Sequence, residues 1–324
     1  MPKIFYKCSN YKNNHSHINT NGEKNLICRK IDLYRSMITV GNPSFISRKM
    51  IKDYGLARTI YSSIIEKIGI VYENILSDHH GMRLHPIYHQ HVSDKKRIVS
   101  YNLGMAFAKF YSEKLLNIPS LVHVESLKAL GVIDFFEGEE VKEREPDLVG
   151  QCLNGNWHVF EAKGMSINQL NVKIRSAKEQ VQRVSSINGI PPQTLNACAT
   201  YFNDQRILTY LVDPESKKEK DYKIDIEKFF DAIYTPIFLL ENALDRNLKL
   251  RVEDEFRYYA LNLETKGVQL TVGIEEENYE LIQQNNISQL PSLLKSRFTE
   301  QHPWFIEYNA SIGLDGIIVK YRNY

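Results

Sequence analysis

The sequence predicts a mixed α/β protein, and three observations carry that expectation. Short apolar or alternating runs bounded by turn residues mark strands, longer runs with apolar residues every three or four positions mark helices, and the two kinds interleave along the chain. Of the 324 residues, 43% are apolar and 25% charged, the balance of an ordinary globular chain. Disordered, collagen-like and disulfide-scaffold classes are thereby excluded. At about 150 residues per domain the length suggests two domains with some decoration.

Residues 1–97 read as an N-terminal accessory region rich in Asn, Lys and His, where Ile60, Ile64, Ile65, Ile68 and Val71 mark one helix. From Asn102 the pattern changes. Leu103, Ala106, Phe107, Phe110 and Leu115 recur near the helical period, and Pro119 ends the run. Residues 132–136, 146–153 and 157–163 are strand-like, and Asn154-Gly155 between the last two is a hairpin signal. Ser166, with Gln169 three positions on, has the capping-box spacing of a helix start. Ile167, Leu170, Ile174, Ala177, Val181 and Val184 give that helix an apolar stripe, flanked by a polar one of Lys173, Ser176, Gln180 and Arg183. Strand-like runs at 195–202 and 207–212 follow, and then a charged, turn-rich linker at 213–223. The core is therefore expected at 98–213 and a C-terminal α+β accessory region at 214–324. The latter holds a helix at 226–243 interrupted by Pro236, strands at 256–263 and 268–274, and a last apolar run at 316–319.

The 41 Lys and Arg nearly cancel the 39 Asp and Glu, leaving a formal charge of +2, so any basic footprint for nucleic acid has to be local. Four scattered cysteines make no disulfide framework and point to a reducing compartment. No apolar run reaches the roughly 18 residues of a membrane span, and the first ten residues lack a signal-peptide core, so the expectation is a cytoplasmic chain with no membrane contact. Walker loops, dinucleotide fingerprints, nucleophile elbows and paired-cysteine metal knuckles are missing from the sequence.

Chemistry concentrates in Pro146-Asp147 and Glu161-Ala162-Lys163. Side chains two apart on a strand share a face, so Glu161 and Lys163 point the same way. The position of Asp147 depends on the hairpin loop. A two-residue loop of Asn154 and Gly155 sets Asp147 opposite Ala162, on the wrong face. A three-residue loop of Leu153, Asn154 and Gly155, with the glycine left-handed, pairs Cys152 with Asn156 and sets Asp147 opposite Glu161. In that register two carboxylates meet, and a hard divalent ion such as Mg²⁺ removes their repulsion while keeping waters and accepting phosphate oxygens. Lys163 beside them adds a positive charge that orients a metal-bound water or stabilises charge developing on phosphorus.

These residues resemble the PD-(D/E)xK nuclease superfamily, which includes restriction endonucleases, over residues 100–213. The resemblance implies a restriction-endonuclease-like mixed central sheet flanked by helices, with Asp147 and Glu161 as ligands of Mg²⁺ or Mn²⁺. It further implies the Ala162 carbonyl as a third ligand, Lys163 as the residue positioning the nucleophile, and Gln180 as a site residue on the following helix. Some members carry a tyrosine four residues after that glutamine, where this chain has Val184. Many carry a further acid on the first helix, for which Glu113 and Glu125 are both candidates.

The expected function is a metal-dependent DNA endonuclease of a restriction, defence, repair or transposition system. The alternative is a catalytically silent nucleic-acid-binding or interaction subunit with the same fold. Lys173, Lys178 and Arg183, with Lys95, Lys96 and Arg97, are the candidate nucleic-acid contacts. The N- or C-terminal region is the expected surface for a protein partner, and a homo-oligomer is compatible with the sequence. Cys8, His15, His17 and Cys28 are ligand-type residues whose spacing matches no zinc motif, and His79, His80, His85, His89 and His91 read as a polar loop.

Overall fold

The computed structural model describes residues 2–40, 57–129, 131–135, 145–217, 220–244, 247–253, 256–265, 268–299 and 309–322. Its strands in chain order are β1 (Lys3–Ser9), β2 (Lys24–Ile27), β3 (Ile75–Asp78), β4 (Gly81–Leu84), β5 (Ser120–His123), β6 (Ile133–Phe135), β7 (Leu148–Gln151), β8 (Trp157–Met165) and β9 (Val184–Ile187). They continue with β10 (Thr194–Phe202), β11 (Ile207–Val212), β12 (Lys220–Ile224), β13 (Lys249–Glu253), β14 (Phe256–Thr265), β15 (Val268–Glu275), β16 (Ala310–Ile312) and β17 (Ile317–Arg322). The helices are α1 (Lys30–Thr39), α2 (Ala57–Asn74), α3 (Ser93–Leu116), α4 (Val124–Ala129), α5 (Leu170–Val181), α6 (Ile226–Leu244), α7 (Glu276–Gln283) and α8 (Leu290–Thr299).

The protein is mixed α/β, built on a seven-stranded sheet of order β2-β1-β11-β10-β8-β7-β5. Within it β8 runs parallel to β10 and β1 parallel to β11, while the other neighbours are antiparallel. The parallel pair needs a crossover, which α5 supplies between β8 and β10. β10 is buried almost without interruption, the pattern of a strand covered on both faces. Two glycines let α3 lie close on β8: a Cβ on Gly164 would stand 1.8 Å from the Ser100 carbonyl oxygen, and one on Gly104 2.7 Å from the Gly164 nitrogen. The Phe107 ring of α3 then packs 5.7 Å from Phe202.

Several expectations change against this fold. The N-terminal segment contributes β1 and β2 to the central sheet, so the sheet draws on residues before 98. Part of the expected linker is β12, which pairs with β9 and β6 in a three-stranded sheet. The expected strand at 132–136 is β6; Phe136 lies outside the described residues. The helix after β8 begins at Leu170 and has Gln169 as its N-cap with no side-chain capping bond. Ser166 is no cap, because its hydroxyl accepts from Tyr88 at 3.1 Å; Ile167 is exposed and Val184 has passed into β9. The histidine run falls on the β3–β4 hairpin and on and around the short 3₁₀ helix Pro86–Gln90. At the C-terminal end, an antiparallel sheet of order β13-β14-β15-β17-β16 contains the expected strands.

A buried ion network ties that sheet to the core. Arg35 of α1 donates to both carboxylate oxygens of Glu113 on α3, one at 2.9 Å, and its Nε donates to Ser311 at 3.0 Å. Lys109 donates to Glu113 at 2.7 Å, to Asp315 in the β16–β17 turn at 3.1 Å, and to the Pro119 carbonyl. Burial alone would raise the Glu113 pKa, but Arg35 and Lys109 hold it down to about 2. Two cations and two anions thus balance where water does not reach, and removing one leaves its partners charged and unsolvated. Glu113→Ala is expected to lower the unfolding free energy in urea by about 3–5 kcal/mol; an effect below about 1 kcal/mol, in the range of exposed pairs, would show that the network contributes little.

Candidate active site

The β7–β8 hairpin adopts the three-residue loop. Gly155 has φ 80°, a left-handed value that suits glycine. Its amide donates to the Cys152 carbonyl at 2.8 Å, and the Cys152 amide donates to Asn156 at 2.9 Å. Gln151 then pairs with Trp157, Val149 with Val159 and Leu148 with Phe160, so the next position puts Asp147 opposite Glu161.

The two acids are locked to each other's backbone. The Asp147 amide donates to Glu161 Oε2 at 2.9 Å, and the Ala162 amide donates to Asp147 Oδ2 at 3.0 Å. Lys163 Nζ donates to Glu161 Oε1. The same register brings Ala162 to Pro146, which has no amide to donate, so the Ala162 carbonyl gains no ladder partner from that residue. Glu161 is fully buried, Asp147 half-buried, and the Lys163 side chain 24% exposed, so solvent reaches the site from the lysine side.

Burial and the neighbouring Asp147 charge push the Glu161 pKa well above the usual carboxylate range, against the pull of Lys163. Burial also raises Asp147, which Lys163 and the Ala162 amide pull down and Glu125 pushes up. Two carboxylates, one ammonium and a third acid nearby form a cluster short of positive charge. The donors a cation would find are Asp147, Glu161 and the Ala162 carbonyl, hard oxygens of the kind Mg²⁺ takes alongside retained waters. Among the described residues no three His, Cys, Asp or Glu side chains gather into a metal-binding group, so protein side chains alone do not complete a coordination shell here.

The structure separates the two acids left open by the sequence. Glu113 belongs to the Arg35 and Lys109 network. Glu125, in the first turn of α4, stands next to Val124, whose amide donates to the Asp147 carbonyl at 3.0 Å, and its charge acts on Asp147. Gln180 is buried and donates its amide to the Ser176 carbonyl at 3.3 Å, one turn back on α5. No described hydrogen bond links it to Asp147, Glu161 or Lys163. Lys173, Lys178 and Arg183 are half-buried on and just after α5, and Lys173 and Lys178 form no ion pair among the described residues. Lys95 and Arg97 pair with Glu73 and Asp94, and Lys96 donates to the His89 carbonyl. Cys8 and Cys28 are buried thiols, and burial pushes Cys8 up to about 12; with His15 and His17 they form no metal cluster.

Two residues near the acids carried no sequence signal. Tyr101 of α3 stacks on His123 at 6.4 Å, and its hydroxyl pKa is raised by burial and by Asp147, Glu125 and Glu161. His123, which pairs with Leu148 beside Asp147, is held neutral by burial, its pKa lowered to about 3, with Lys67 adding to the effect. Their chain separations from the hairpin differ and only the fold assembles them.

Comparison with protein families, with curated proteins and with solved structures finds no match to this chain.

The raised pKa values fix a sign. An acid whose folded pKa lies above its unfolded value stabilises the fold fully below the unfolded pKa, and that contribution is lost as pH rises through the folded one. Asp147→Asn keeps an acceptor for the Ala162 amide and removes a charge. In metal-free buffer it is expected to melt at or above the wild-type temperature at pH 8, with the difference closing towards pH 4; a clear drop at pH 8 would make Asp147 a structural ion partner instead.

Proposed function

We propose that the protein is a metal-dependent nuclease that hydrolyses phosphodiester bonds in nucleic acid, a DNA endonuclease of a restriction, defence, repair or transposition system. The observation that carries this reading is the meeting of Asp147 and Glu161 across the hairpin, each held by the other's backbone, with Lys163 on the same carboxylate. The element succession supports a restriction-endonuclease-like core: α3, then β5, β7 and β8 as antiparallel neighbours, then α5 crossing to β10 parallel to β8.

In this reading Asp147, Glu161 and the Ala162 carbonyl hold Mg²⁺ or Mn²⁺, which when bound supplies Lewis-acid stabilisation of the phosphoryl oxygens and a more acidic water. The Lys163 ammonium, reached by solvent, holds the attacking water and offsets charge on phosphorus. The water oxygen bonds to phosphorus as the ester P–O bond breaks; the water's proton leaves to solvent, and the departing oxygen takes a proton from solvent to leave as a hydroxyl. Glu125 adds negative charge beside Asp147, and Lys173 and Lys178 offer cations for phosphates further along the strand.

Wild-type protein is expected to nick supercoiled plasmid with Mg²⁺ or Mn²⁺, and Lys163→Ala to lose at least about 10²-fold in rate with an unchanged circular dichroism spectrum. Mn²⁺ is expected to raise the melting temperature of wild type and not that of Asp147→Asn. Intact plasmid under both metals, with no thermal shift, would replace this reading by the catalytically silent subunit.

A further inference from the structure

A cavity of about 450 Å³ opens at the start of α1, within the roughly 300–1,000 Å³ of small-molecule sites. Lys30, Ile31, Tyr34, Tyr72, His79 and Tyr321 are among its walls, and none of Asp147, Glu161 or Lys163 lines it. These residues come from the first helix, the end of α2, the β3–β4 turn and the last strand, so only the complete fold builds it.

Its polar groups are incompletely satisfied. Lys30 Nζ donates to the Tyr72 carbonyl at 3.0 Å and sits 5.1 Å from the centre of the Tyr72 ring, with no carboxylate in ion-pair range among the described residues. Desolvation without a counter-ion lowers its pKa to about 8. Tyr34 is 3% exposed and lines the cavity, yet its hydroxyl has no hydrogen-bond partner among the described residues. That hydroxyl faces the cavity, where a ligand oxygen can accept from it. Two acids lie close by, and both are already neutralised. Asp78 is held by Arg83 through bonds of 2.8 and 2.7 Å, and Asp32 by Arg29 through bonds of 3.1 and 2.8 Å. The cavity therefore presents uncompensated positive charge and phenol donors.

We infer that this cavity is a second site, which binds an organic phosphate of nucleotide size. A phosphate group supplies the missing negative charge to Lys30 and accepts from the Tyr34 hydroxyl, and the first amides of α1, Lys30 and Ile31, are unpaired donors of the kind that helix starts offer to anions. A bare phosphate would leave most of the volume empty against the Tyr34, Tyr72 and Tyr321 rings and Ile31. An ester carrying a sugar or a base fills it and buries its flat or apolar part on those walls. The inference does not depend on the chemistry assigned to the hairpin.

Isothermal titration of the full chain with AMP, ribose 5-phosphate and inorganic phosphate tests it. At least one ester is expected to bind at least about tenfold more tightly than inorganic phosphate. AMP binding tighter than ribose 5-phosphate identifies a nucleotide, and equal affinities identify a sugar phosphate. Lys30→Gln is expected to weaken binding at least about tenfold, and Tyr34→Phe, which keeps the ring and the fold, by about threefold or more. Lys163→Ala is expected to bind as wild type. Absence of binding by either ester at millimolar concentration, affinities equal to that of inorganic phosphate, or unchanged binding in both Lys30→Gln and Tyr34→Phe would overturn the assignment. Loss of binding in Lys163→Ala would place the ligand at the acidic hairpin and overturn it equally.

Discussion

The site rests on one backbone conformation, the left-handed turn at Gly155 that makes the β7–β8 loop three residues long. Side-chain direction in a strand has period two, so a loop shorter by one residue would turn Asp147 away from Glu161 and dissolve the pair. Pro146 acts at the other end of the same strand. By withholding an amide it stops the ladder where the acids stand, and beside it the Ala162 amide donates to the Asp147 carboxylate.

Two buried groups of charges show how differently the fold treats ionised side chains. Around Glu113 the charges cancel, every member has a partner from another element, and the carboxylate stays ionised. Around Glu161 the acids outnumber the single lysine, and the protein leaves a deficit of positive charge where solvent can enter. A network that is balanced behaves as a fastening between elements. One that is unbalanced shifts the titration of its members, as at Glu161, the kind of perturbation that clusters at functional sites.

Much of the central hairpin was legible in the sequence because its determinants are local. The Asn154-Gly155 turn, the spacing from Asp147 to Glu161 and the apolar period of α5 all lie within forty residues, and the two possible loop registers differ by a single residue. What sequence reasoning missed depends on distance along the chain. Nothing in residues 3–9 shows that they run parallel beside 207–212, since parallel pairing of remote strands leaves no local mark. Ser166 has the spacing of a cap, but a tyrosine from nearly eighty residues earlier takes its hydroxyl. Glu113 and Glu125 are indistinguishable as letters and separate only when α1 brings Arg35 to the first and Val124 ties the second to Asp147.

Asp315 sits in the turn between β16 and β17 and faces two cations, Arg35 and Lys109, from some two hundred residues or more earlier in the chain. During synthesis Arg35 and Lys109 leave the ribosome long before the residue that completes their neutrality. The early segments can collapse, but with an excess positive charge in their interior they cannot settle into the final packing. Closure of the core around these charges then waits on the β16–β17 turn that carries Asp315.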